Sequence, residues 1–217
     1  MISVDVPFVL NPDDRCVPAT MGMVLAHFLP NKQYDMAELE TFAGYKKGKG
    51  TWRAQSMLNF QKLGFQTAWI EDFDIHAFVK DQAQYLATIL DPQSLAWQIE
   101  HSDLKAEAQR IQKYLDNDGI IQQRKGTRQD IESFMNDGWL VSLEVNANRL
   151  ADKPGYEGHS ILVVGFDNNK VEIHNPDGVN GNRESQEVSW DQLKKAWREF
   201  GGSYSMYAFK KSPESSR

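Results

Sequence analysis

Cys16 is the single cysteine of a 217-residue chain. It lies in Asn11-Pro12-Asp13-Asp14-Arg15-Cys16-Val17-Pro18, where an extended segment turns into an amphipathic helix. Backbone N–H groups at a helix start are unpaired and carry partial positive charge, so a thiol there is biased toward thiolate and becomes a nucleophile. Downstream, Gly158-His159-Ser160-Ile161 places a histidine at the head of an apolar run, and His174-Asn175-Pro176-Asp177-Gly178 offers an amide and a carboxylate. The thiol-to-imidazole separation is 159 − 16 = 143 residues, and thiol to amide is 175 − 16 = 159. The first falls within the roughly 130–150 residues of papain-type chains and the second slightly beyond. In that chemistry Cys16 attacks an acyl carbon and His159 moves the proton. Asn175 then holds the imidazole, with Asp177 as an alternative orienting acid.

The elements needed to bring these residues together are legible in the apolar spacing. Val17, Met21, Val24, Leu25 and Phe28 form a helical stripe ending before Pro30, and Asp13 or Asp14 is the expected cap. Asp35 with Glu38 reads as a capping box for a helix that stops at Gly44. Thr51 is expected to cap a helix running to Leu63, followed by a strand from Phe65 to Ile70. Residues 72–137 read as helical throughout, including Leu104, Ala108, Ile111 and Leu115 on one face and a helix capped by Thr127.

Strand periodicity follows at Trp139 to Val145, Ser160 to Phe166, Val171 to His174 and Tyr204 to Phe209, with a helix capped by Ser189 between the last two. Helices first and an antiparallel sheet afterwards is an α+β order. The turn Asp167-Asn168-Asn169-Lys170 predicts a hairpin. Such a hairpin sets the start of the His159 strand beside the end of the Asn175 strand. The organisation expected is one domain over residues 1–210 with a helical insertion at about 72–137, then a flexible tail at 211–217.

Asp14-Arg15-Cys16-Val17-Pro18-Ala19, Gly158-His159, His174 to Gly178, and Val188 to Leu193 with Trp197 together resemble the thirty-ninth family of cysteine peptidases. These are the bacteriocin leader-processing enzymes of the papain-like clan and their stand-alone relatives. The likeness covers residues 1–70 and 138–210. It implies a papain-like fold, a Cys16–His159–Asn175 triad, a peptide or amide substrate, a thioester acyl-enzyme and no cofactor. The family carries glutamine six residues before the cysteine, where this chain has Leu10; Asn11, five before, is the candidate oxyanion donor. Two further readings use the same residues: an acyltransferase with another acceptor than water, and an inactive peptidase-like binding module.

Composition narrows the field. A net charge of −6 lacks the clustered Lys and Arg of a nucleic-acid surface. No apolar run approaches the roughly 18 residues of a membrane span, and no secretory signal opens the chain. One free thiol suits a reducing cytoplasm. His76, His101 and His174 lack metal-ligand spacing, so no metal is expected, and His27 reads as structural.

Overall fold

The computed structural model describes residues 2–198 and 204–211. The element order is β1 (Ile2–Ser3), α1 (Cys16–Phe28), α2 (Met36–Ala43), α3 (Ala54–Lys62), β2 (Phe65–Glu71), α4 (Ile75–Lys80), α5 (Gln82–Ile89), α6 (Pro92–His101), α7 (Leu104–Asp116), β3 (Ile121–Gln123) and α8 (Arg128–Asn136). Then come β4 (Leu140–Asn146), α9 (Ala147–Leu150), β5 (Gly158–Phe166), β6 (Lys170–Asn175), β7 (Arg183–Ser189), α10 (Trp190–Trp197) and β8 (Met206–Lys211). The α+β order is as expected.

The strands form one sheet in the order β3-β2-β8-β4-β5-β6-β7, with β1 added to β5. All pairings are antiparallel except β2 with β3. Alternation along β5 divides its side chains between two cores. Leu162 and Val164 join a cluster with Met21, Leu25, Phe60 and Phe209, while Ile161 and Val163 join one with Ile131, Leu193 and Trp197. The sheet is therefore covered on both faces, which fixes strand register because a slip of one residue would exchange the two sets.

Local chemistry sets the boundaries. The Asp35–Glu38 capping box forms, and Gly44 closes α2 at φ 72°, a left-handed conformation that only glycine adopts freely. Asp74, Asp81, Asp91 and Asp103 cap four successive helices by accepting first-turn N–H groups. Thr127 forms a capping box with Asp130, and Ser189 caps α10. Three expectations are corrected. Arg53 rather than Thr51 is the N-cap of α3. The stretch 72–137 is not wholly helical, because Ile121–Gln123 adds a strand alongside Trp69–Glu71. Arg183–Ser189 is a strand too; its polar alternation reflects an exposed sheet edge, which supplies no apolar signal. Of the expected tail, Lys211 is the last residue of β8, and residues 212–217 lie outside the described residues.

Candidate active site

Cys16 is the first residue of α1, and neither Asp13 nor Asp14 caps it. The N-cap is Arg15, with no side-chain capping hydrogen bond. The preceding loop is organised by Asn11, whose Oδ1 accepts from the N–H groups of Asp13 (3.1 Å) and Arg15 (2.9 Å). Asn11 Nδ2 donates to the Pro176 carbonyl at 2.8 Å, and its backbone N–H and C=O are paired with the Asn182 side chain. Arg15 reaches Glu40 on α2 and completes the clamp on the loop. Asn11 is only 2% exposed, and one of the two N–H groups of its amide is donated to Pro176.

The hairpin predicted from Asp167 to Lys170 is present. Asp167 Oδ1 accepts from the N–H groups of Asn169 and Lys170. In β5 and β6, Leu162 stands opposite His174, and continuing that register by one step sets Asn175 across from Ile161. His159 is two residues from Ile161, so strand alternation places His159 and Asn175 diagonally on one face. Asn175 Oδ1 lies 2.7 Å from His159 Nε2, and Asn175 Nδ2 donates to Gln186 on β7 at 2.8 Å. The second bond fixes which way the amide points, so its oxygen faces the ring. Asp177 is engaged elsewhere, with its Oδ1 accepting the Asn180 N–H at 2.8 Å.

With Nε2 engaged, Nδ1 is the ring nitrogen left for the hydrogen bond between His159 and Cys16. Burial pushes the Cys16 thiol up, but the hydrogen bond and charge of His159, a backbone hydrogen bond from Ser160 and the charge of Arg53 outweigh it, so the thiol sits below its ordinary value. For His159 burial opposes the cation. The Cys16 hydrogen bond and charge, the Asn175 hydrogen bond and the charge of Asp177 reverse that effect, and the imidazole rises above its ordinary value. The two opposite shifts share a cause, the mutual hydrogen bond and charge of Cys16 and His159, which favours the thiolate and the imidazolium together.

Behind the pair runs a polar chain that no sequence motif announces. Thr20 Oγ1 donates to the Cys16 carbonyl at 2.8 Å and receives the Ser160 hydroxyl at 2.9 Å. Ser160 in turn accepts from Arg53 Nη2 at 2.6 Å, and Arg53 Nε is paired with Glu144 at 2.6 Å. The Arg53 side chain is 1% exposed and stacks over Tyr207. A fixed cation is thereby held near the thiol. These residues come from α1, the start of α3, β4 and β5, and no local pattern ties Arg53 to Cys16.

The site also explains one glycine. A Cβ on Gly178 would lie 2.5 Å from the Asp13 carbonyl and 2.8 Å from that of Asn11. The loop that precedes the nucleophile and the loop that follows Asn175 touch backbone to backbone.

The family model described as the Peptidase_C39 like family matches residues 3–205. The chain belongs to that family. Two solved structures share its fold. The peptidase domain of Streptococcus ComA, a bi-functional ABC transporter involved in a quorum sensing pathway, is 18% identical with a TM-score of 0.50, covering 94% of this chain and 98% of its own. A double glycine motif protease from an AMS/PCAT transporter, solved in complex with the leader peptide, is 11% identical with a TM-score of 0.50, covering 97% of this chain and 95% of its own. Among curated proteins there is no match. By family and fold the chain is a papain-like cysteine peptidase. Among the described residues no helix is long and apolar enough to cross a membrane, and no cluster of three or more His, Cys, Asp or Glu could hold a metal ion.

Proposed function

We propose that this peptidase cleaves a peptide or amide bond through a Cys16–His159–Asn175 triad and a thioester acyl-enzyme. The observation that carries the reading is the 2.7 Å contact of Asn175 Oδ1 with His159 Nε2, because it leaves the opposite ring nitrogen to the only thiol.

The steps follow from that arrangement. The Cys16 thiolate forms an S–C bond to the scissile carbonyl, whose π electrons move onto oxygen. The proton on His159 Nδ1 passes to the departing nitrogen as the C–N bond breaks, and the amine leaves a thioester. Neutral His159 then takes a proton from water. The hydroxide oxygen bonds to the acyl carbon, the C–S bond breaks, and the acid leaves with the thiolate and imidazolium restored. Asn175 keeps Nδ1 aimed at sulfur in both halves.

The developing oxyanion requires a donor, and each such donor in comparable sites contributes about 2.7–4 kcal/mol in the transition state. The Cys16 backbone N–H at the start of α1 is the donor supported by position. Asn11 acts indirectly, by holding the loop that presents it. Asp177 contributes charge rather than a hydrogen bond to His159.

A peptide is the substrate the family suggests, since one of the similar structures is a double glycine motif protease holding a leader peptide. We infer one domain over residues 1–210, because the sheet runs continuously from β3 to β7 through the terminal strand β8. A single free thiol fits a reducing compartment such as the cytoplasm. The test is to incubate the protein with a peptide library and follow intact mass: a covalent adduct should appear on the parent and be absent from Cys16→Ala. Cleavage persisting in Cys16→Ala would remove the triad from the mechanism.

A further inference from the structure

None of the hydrogen-bond partners of Cys16, His159 or Asn175 comes from the insertion at residues 72–137. What the insertion gives the site is a wall. Cys16, Gly158 and His159 border a cavity of about 300 Å³ that Ile75, Leu86, Ile89 and Trp97 from α4, α5 and α6 also line. Trp52 and Trp69 add to the same lining.

Large apolar side chains also remain in water around this cavity. Ile89 is 38% exposed, Trp97 49% and Tyr156 43%, and all three line it. Exposed apolar groups gathered at a concavity mark a place where a ligand covers them. The charged groups beside the apolar lining are engaged in internal pairs. Arg53 holds Glu144, and Glu71 accepts from the Ser205 hydroxyl at 2.8 Å and the Tyr207 hydroxyl at 3.3 Å. Burial, opposed by the Ser205 hydrogen bond and aided by the charge of Glu144, pushes Glu71 up to about 8, which favours its uncharged form. The exposed apolar groups at Ile89 and Trp97 are the surface on which recognition can act.

We propose that helices α4 to α6 build a pocket for a bulky apolar group flanking the scissile bond, so that this chain selects an aliphatic or aromatic substrate where a glycine would leave the cavity empty. The proposal rests on the peptidase reading for its substrate and departs from the double glycine motif named for one similar structure. Burial of one large apolar side chain corresponds to about 10- to 100-fold in kcat/KM over glycine.

The test uses the only thiol as its probe. Cys16 alkylation is timed with iodoacetamide and with its N-phenethyl and N-octyl derivatives, each rate divided by that for free glutathione. The apolar reagents should gain at least about tenfold over iodoacetamide in the parent. Ile89→Asp and Trp97→Ala, at exposed positions that tolerate change, should erase most of that gain while leaving the iodoacetamide rate as it was. A larger gain for the octyl reagent identifies a linear acyl chain, and one for the phenethyl reagent an aromatic side chain. In parallel, matched peptides carrying Gly, Leu or Phe on each side of the scissile bond in turn are assayed for cleavage. A flat reagent ratio, or turnover greatest with glycine at both flanks, overturns the pocket. A steep ratio with no turnover of any peptide keeps the pocket and overturns the peptidase reading.

Discussion

Asn175 Oδ1 meets His159 Nε2 at 2.7 Å while the Asn175 amide nitrogen is tied to Gln186 at 2.8 Å. An asparagine held at both ends of its amide has one orientation. The contact engages Nε2 of the imidazole and leaves Nδ1 on the opposite side of the ring.

Removing that contact should release the ring. Asn175→Ala is expected to lower kcat by roughly ten- to a hundredfold, the kinetic equivalent of a hydrogen bond to a charged group at about 1.5–3 kcal/mol. Asp177→Asn should change kcat far less, because the carboxylate serves Asn180. Steady-state rates for the two variants decide between the orienting residues, and a larger loss in Asp177→Asn would transfer the role.

The pH dependence follows from the opposite shifts of the pair. Cys16 lies below its ordinary value and His159 above its own, so the ion pair is populated between the lowered thiol pKa and the raised imidazole pKa. Iodoacetamide alkylation should rise with pH through an inflection below about 8.5, the unperturbed thiol value, and kcat/KM should be bell-shaped. In His159→Ala the largest lowering influence is gone while burial remains, and the inflection should return to about 8.5 or higher. An unchanged inflection would show that His159 does not set the thiolate.

Arg53 offers an independent check on the same thiol. Arg53→Met removes the cation, costs Ser160 one of its two partners and leaves Glu144 without its ion pair. The Cys16 inflection should move upward, and stability should fall by about 3–5 kcal/mol, as for a broken buried pair, discounted toward the lower figure because Glu144 is 23% exposed. A pH titration of alkylation and a denaturant melt separate the two effects.

Glu71 ties stability to pH. Its folded value of about 8 exceeds the ordinary 4.5, so its contribution is fully present below about 4.5 and is lost as pH rises toward about 8. Glu71→Gln keeps the shape and cannot ionise. The variant should therefore gain on the parent by about 1–3 kcal/mol at pH 8 and show a flatter stability curve between pH 4.5 and 8. Urea midpoints at the two pH values are the measurement, and parallel curves for parent and variant would contradict it.

Gly178→Ala should disturb the site from outside it. The added carbon meets backbone atoms at 2.5 Å, and backbone cannot swing aside as a long side chain can. Loss of stability by about 1–3 kcal/mol and a slower Cys16 alkylation are expected together. Asn11→Ala, which frees the same loop contact, should reproduce both changes, whereas a pure oxyanion donor would lower turnover with alkylation and melting intact.

Much of this protein is determined by its sequence alone. The capping boxes at Asp35 and Thr127 and the Asp167–Lys170 turn are short-range signals, decided by groups within about four residues of one another, whereas α1, read as an amphipathic stripe, is buried on every face from Val17 to Leu25. The turn even set the His159–Asn175 approach, because a tight hairpin converts sixteen residues of chain into one cross-strand neighbourhood. Tertiary structure decided the rest. Arg53 meets Ser160 across 107 positions and Asn11 meets Pro176 across 165, and nothing in the local pattern of either partner requires the other. The sequence places an amide near the nucleophile. Only packing shows that Gly178 brings the Asn175 loop onto it and that Pro176 takes its hydrogen bond. The strand at Ile121–Gln123 was hidden for a related reason: its pairing partner β2 lies some fifty residues earlier, and three residues at a sheet edge carry too little periodicity to announce themselves.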